Sequence, residues 1–165
     1  MTPANTAWLG MIYASVKRFD DAIAATQKAM EVNPRSGVAW NVLSYTYSQM
    51  GRHDEAIAAA QKAAEYAPPY TFAVGIAHAQ AGQMDKAREV LDLLLKRPTT
   101  PYSMWARSML ALYVGDADVF FNAVNYTPHH GFAPWVCAEG PIIKRFKDDP
   151  RYAAMFARFK LTPPS

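Results

Sequence analysis

The chain has 165 residues, of which 51% are hydrophobic and 19% charged, a balance that excludes a disordered polyelectrolyte and can fill a buried core. Its net charge of +3 is too small to mark a nucleic-acid binder, and a single cysteine, Cys137, excludes an internal disulfide and any CxxC motif. No apolar run approaches the roughly 20 residues that a membrane helix requires, and no signal-peptide pattern opens the chain, so a cytoplasmic setting is the default expectation.

The first predicted helix runs from about Ala4 to Ser15, with Ala7, Leu9, Gly10 and Tyr13 on its packing side. A second follows, expected to be capped by Asp20, with Ala22, Ile23, Thr26, Ala29 and Met30 in a one-sided apolar stripe. Pro34, Arg35, Ser36 and Gly37 end it. The stretch from Asp20 to Pro34, DDAIAATQKAMEVNP, returns 34 residues later as DEAIAAAQKAAEYAP, identical at ten of fifteen positions. A fixed period holding two amphipathic helices predicts a stacked helical array, because each unit has an apolar face that only a neighbour can bury.

The helix before the second copy carries Trp40, Leu43, Ser44 and Tyr47, then Gly51, and the copy itself adds Ala56, Ala60, Ala63 and Pro68. This spacing resembles the tetratricopeptide repeat, with Ser44 in place of the usual glycine and Ala60 in place of an aromatic. The resemblance implies an all-α fold, a right-handed superhelical array of antiparallel helix pairs, that works as a protein-protein interaction scaffold. Small residues at Gly10, Ala22, Ala56 and Ala63 would let helix axes approach closely, with Tyr13, Trp40 and Tyr47 filling the gaps beside them.

The third unit starts near Pro68, three residues early, with Pro69 or Tyr70 opening its first helix and Met84 to Lys96 forming its second. A degenerate fourth unit follows, as helices Met104 to Val114 and Asp116 to Tyr126, where Phe120, Phe121 and Val124 replace small residues. The expected division is a repeat array over 1–126, with units 3–36, 37–67, 68–100 and 101–126, then a linker over 127–140 and a helical cap over 141–165. Two short helices are predicted in the cap, the second with Asp149 as its N-cap and Pro150 as its first helical residue.

The ending, with Pro141, Phe146, Asp149, Pro150, Arg151, Tyr152 and Leu161, resembles the tail closing tetratricopeptide modules in bacterial multidomain regulators. That implies a chain of regulatory or ligand-sensing character, the C-terminal part of something longer; a short standalone protein accounts for the same start. The tail also concentrates charge, with six cations against two carboxylates between Pro141 and Ser165. It is expected to form a solvated basic face, or else to meet an acidic partner.

In such an array the first helix of each unit lines a groove. Counting from the unit starts puts Trp8, Met11, Asn41, Tyr45, Ser48, Phe72, Ile76, Gln80, Trp105 and Met109 there, joined by Ser15, Gln49 and Tyr113. The lining is aromatic and methionine-rich with few charges, which suits an apolar or amphipathic peptide or a partner domain. Some of these side chains could instead pack within the array or beneath the cap. The clamp with which chaperone-binding members of the family hold a terminal carboxylate would fall on Ala7, Met11, Val42, Pro69 and Ala73, none of which is cationic.

Catalysis would have to use Cys137 with His129 or His130, which lie in a Pro- and Gly-rich stretch without a group to orient the imidazole, so no enzyme is expected. The same three residues are too few for a structural zinc site. His53 reads as a polar residue at a helix start and His78 as a packed side chain. Without a Gly-rich phosphate loop no cofactor is expected. Self-association through the first helix or the fourth unit is the third possibility.

Overall fold

The computed structural model describes residues 3–126 and 140–163, and among these the secondary structure is helical throughout. The predicted linker, together with His129, His130 and Cys137, lies outside the described residues. The helices are α1 (Pro3–Ser15), α2 (Phe19–Val32), α3 (Gly37–Gln49), α4 (His53–Tyr66), α5 (Thr71–Gln80), α6 (Met84–Leu95), α7 (Pro101–Val114), α8 (Ala117–Tyr126), α9 (Gly140–Ile143) and α10 (Pro150–Phe159). The chain divides into two compact units, Met1–Val90 and Leu91–Ser165.

In the first unit α1 packs on α2, α3 on α4, and α3 also touches α1, α2 and α5. Its core is built largely of alanine: Ala7, Ala22, Ala39, Ala56, Ala60 and Ala63 are wholly buried. Gly10 shows why small residues are required. A Cβ added there would lie 2.9 Å from Thr26 Oγ1, 3.0 Å from the Ala22 carbonyl oxygen and 3.3 Å from Val42 Cγ1. One of those contacts is backbone, so no rotamer change relieves it. Ser44, which departs from the repeat pattern, is buried and its hydroxyl donates to the Ala56 carbonyl at 2.8 Å. The extra polar atom thus becomes a tie between α3 and α4.

The turns within helix pairs repeat as faithfully as the helices. Arg18 N–H donates to Tyr13 O, Arg52 to Tyr47 O and Gln83 to His78 O, each at 2.9 Å, and Asp116 to Ala111 O at 3.0 Å. Each closure puts the residue ahead of the donor in the left-handed region, at Lys17 (φ 62°), Gly51 (φ 74°), Gly82 (φ 75°) and Gly115 (φ 87°). Arg18 lies over the Tyr13 ring at 4.7 Å and Arg52 over Tyr47 at 4.5 Å, while each arginine also pairs with a carboxylate three residues on, Asp21 or Glu55. In the third turn His78 and Gln83 hydrogen-bond at 3.0 Å in place of that stack.

Lys17 therefore holds a conformation that glycine adopts without strain. Lys17→Gly is expected to stabilise the chain by up to about 1 kcal/mol. Gly51→Ala, at a site with open space around the added Cβ, is expected to cost about as much, from backbone strain alone. Urea midpoints of the two variants check the pair.

The second helix begins at Phe19, one residue before the expected cap Asp20, and its N-cap position, Arg18, makes no side-chain cap hydrogen bond. Asp20 and Asp21 sit in the first turn, where their charge meets the exposed N–H groups of the helix. Pro68–Tyr70 form a 3-10 turn and α5 opens at Thr71, so the deletion falls on the helix itself, α5 having 10 residues where α3 has 13.

The second unit has a different core. Leu110, Leu112, Phe120 and Ile143 are among its largest wholly buried side chains. Helix α7 starts at Pro101, three residues before the predicted Met104, because Thr100 and Ser103 form a reciprocal capping box ahead of it. The cap is fastened to α7 and α8 in two ways. The Phe146 ring lies 5.2 Å from Phe120 and 5.7 Å from Phe121. Arg145 donates to the Leu112 and Tyr113 carbonyls at 2.9 and 2.7 Å, and Arg158 to the Asn125 carbonyl at 3.1 Å, so each arginine closes a helix C-terminus.

Every residue of the Asp-Pro-Arg-Tyr run has a place in that closure. Asp149 caps α10 by accepting from the Arg151 N–H, Pro150 occupies the first turn, and Tyr152 is buried. Arg151 bonds Asp149 at 2.7 Å and Asp118 of α8 at 2.8 Å while lying 4.7 Å over the Phe121 ring. Its guanidinium holds the Asp149 carboxyl below the usual carboxylate range, through the side-chain hydrogen bond first. The basic tail is thus not simply a solvated face, since three of its arginines are spent on internal contacts.

Candidate functional site

Three of the groove helices belong to the first unit, and α3 touches both α1 and α5. Their uncharged sequences differ from the acidic first turns of α2, α4 and α6, each of which shows a solvated polar face. Burial sorts the expected groove residues. Met11 of α1, Tyr45 of α3 and Ile76 and Gln80 of α5 are partly exposed. Asn41, Ser48 and Phe72 are buried, the last with its ring 6.1 Å from Tyr70.

Trp8 is exposed but shares repeat register with Val42 rather than with Tyr45, whose equivalent one period earlier is Met11. Residues three apart are neighbours on a helix surface, so Trp8 still adjoins Met11 on α1. Trp105 and Met109 lie on α7 in the second unit. Trp105 is partly exposed and its ring is 5.5 Å from Tyr102, whereas Met109 and Tyr113 fall in a run buried from Ala106 to Val114.

Among the described residues, three buried side-chain atoms have no hydrogen-bond partner: Ser48 Oγ, Gln80 Oε1 and His53 Nδ1. Two of them belong to the expected groove set, on the neighbouring helices α3 and α5. An unpaired buried polar atom costs about 1–3 kcal/mol, and a bound water or a ligand can each supply the missing bond. Nothing in residue spacing distinguishes these from satisfied groups, which is why only the polarity of the two positions was legible beforehand. No group of three or more His, Cys, Asp or Glu side chains able to hold a metal occurs among the described residues. No helix among them is long and apolar enough to cross a membrane.

Helix pairs that recur at a fixed period, share one turn geometry and stack through alanine faces define a helical repeat protein. The tetratricopeptide repeat family model matches residues 3–68, and a second, overlapping one matches residues 42–103. Together they span more than half of the chain, which belongs to the tetratricopeptide repeat family. Among solved structures it is similar to a tetratricopeptide repeat protein from Parabacteroides merdae ATCC 43184, with a TM-score of 0.52 and 15% identity. That similarity covers 99% of this chain and 66% of the other, and it shows the fold alone. No curated protein matches the chain. Tetratricopeptide repeats generally mediate protein-protein interactions and are typically scaffolds rather than enzymes.

Proposed function

We propose that the chain is a protein-interaction scaffold whose α1, α3 and α5 face takes an apolar or amphipathic peptide segment of a partner protein. The observation that carries this reading is the pair of unpartnered buried atoms, Ser48 Oγ and Gln80 Oε1, on two of the helices that would line the groove. A peptide main chain brings N–H and C=O groups that complete both, while Tyr45, Ile76 and Met11 offer adaptable apolar contact. Unit boundaries at 3–36, 37–67, 68–100 and 101–126, with a cap over 141–165, fit this reading. No role in catalysis or direct nucleic-acid binding is assigned to the chain.

Selection of displayed peptides on the full chain tests it. Enriched peptides should be apolar or amphipathic, and Tyr45→Ala should weaken a selected peptide about tenfold, on the order of one lost aromatic contact. Equal affinity for Tyr45→Ala and for Gln80→Ala in titration calorimetry would place the site elsewhere. The closing Asp149-Pro150-Arg151-Tyr152 run supports a second reading, that of a regulatory or ligand-sensing segment of a cytoplasmic bacterial multidomain regulator. A coding sequence with a signalling domain ahead of Met1 discriminates the two.

A further inference from the structure

We propose that the partner peptide is anchored by a carboxamide, the side chain of an Asn or Gln, at one end of the α3, α4 and α5 layer. The inference rests on the groove reading above and names the chemistry that the groove selects. The three unpartnered buried atoms, Ser48 Oγ, His53 Nδ1 and Gln80 Oε1, all fall at that end. Helix α4 packs against both α3 and α5. Ser48 is the last residue but one of α3, His53 the first of α4 and Gln80 the last of α5, and the chain reverses between successive helices, which brings these ends together. The repeat register agrees, since Gly51 matches Gly82 and Gln80 therefore matches Gln49, the residue after Ser48.

Helix packing does not require polar residues there. The equivalents of Ser48 in the flanking units are Ala14 and Ala79, and those of His53 are Phe19 and Met84. Only the second unit puts a hydroxyl and an imidazole at these two positions. Ser48 is itself only 8% exposed, so its hydroxyl is withheld from bulk water at a cost that alanine would avoid.

The donors and acceptors of the three atoms decide what completes them. Gln80 Oε1 only accepts, Ser48 Oγ donates and accepts, and His53 Nδ1 does one or the other according to its tautomer. A carboxylate would set oxygen against Gln80 Oε1 without a free cation to offset it, because Arg52 is paired with Glu55. An ammonium would leave water without a counter-charge at the cluster, Asp54 being exposed. A trans peptide group points its N–H and C=O to opposite sides, so one such group cannot bring both to a single cluster. A primary carboxamide carries two N–H donors and a carbonyl on one uncharged end. Its N–H groups reach Gln80 Oε1 and His53 Nδ1 while its oxygen accepts from the Ser48 hydroxyl.

Selection of a random peptide library on the full chain tests the proposal, followed by calorimetric titration of an enriched peptide and its Asn→Asp or Gln→Glu version. The expected result is Asn or Gln at one fixed position, with the acidic version bound about 30-fold more weakly, the effect of one buried oxygen left opposed. Gln80→Met and Ser48→Ala each remove an unpaired buried polar atom, so their thermal midpoints should be no lower than that of the unaltered chain. Their preference for the amide over the acid should fall within about threefold.

Enriched peptides without Asn or Gln at a fixed position overturn the proposal, as does a preference that survives in Gln80→Met. Peptides that weaken with Tyr45→Ala yet bind equally as amide and acid overturn it while leaving the groove reading in place, and then water alone completes the three atoms. A library from which nothing is enriched overturns both.

Discussion

Arg107→Met is expected to cost about 3 kcal/mol of stability, with Arg107→Lys costing about half as much. Arg107 is only 7% exposed, and its guanidinium donates to the Leu94 carbonyl at 3.2 Å, the Leu95 carbonyl at 3.5 Å and the Arg97 carbonyl at 2.7 Å. The Leu94 and Leu95 carbonyls end α6 and that of Arg97 lies just beyond it, where the last turn of any helix lacks partners and carries partial negative charge. One planar cation with several fixed donors satisfies the group at once. Methionine keeps the apolar stem but leaves the carbonyls unpaired at about 1–3 kcal/mol each, partly regained from water. Lysine restores the charge but cannot span the three oxygens. Urea denaturation of the two variants, with losses under about 1 kcal/mol in both, would show that water serves α6 as well as the arginine does.

The same residue shows where sequence reading stops. The repeat helices are legible because their chemistry is periodic: Ala22 returns as Ala56, Ala29 as Ala63, and the turn glycine Gly51 as Gly82, at nearly fixed intervals. The helix-capping arginines are not periodic. Arg107, Arg145 and Arg158 reach carbonyls 10 to 34 residues away, and each looks in sequence like an ordinary solvated cation. The tail was accordingly expected to be a basic surface. Asp20 failed as a cap for a related reason, since Phe19 extends the helix backward once Arg18 closes the turn.

The groove was legible only as far as helix identity. Knowing that α3 and α5 adjoin does not say which of their polar residues sink between them. Asn41, Ser48 and Phe72 are buried, while Tyr45 and Ile76 keep exposed surface, a difference set by a fraction of a helical turn. Trp8 is exposed and stands one position from the repeat register of Asn41.

Phe146→Ala should have the largest effect of the substitutions considered, a loss of about 3–5 kcal/mol. Its ring completes a triangle with Phe120 and Phe121, which are themselves 5.1 Å apart and edge to face. All three side chains are buried, so truncation leaves a cavity with two aromatic walls that cannot both move. The loss extends beyond the ring. Arg151 of α10 lies over Phe121 and pairs with Asp118, and an isolated helix as short as α10 is not stable in water. Destabilising the triangle should therefore free α10 together with its buried Met155 and Phe156. Amide exchange through α10 is expected to rise on the order of 100-fold or more in Phe146→Ala, equivalent to about 3 kcal/mol of local opening. Phe146→Leu, which retains most of the volume, should lose less than about 1.5 kcal/mol and keep α10 protected. Unchanged exchange in the alanine variant would mean that the three arginines, rather than the aromatic triangle, hold the cap closed.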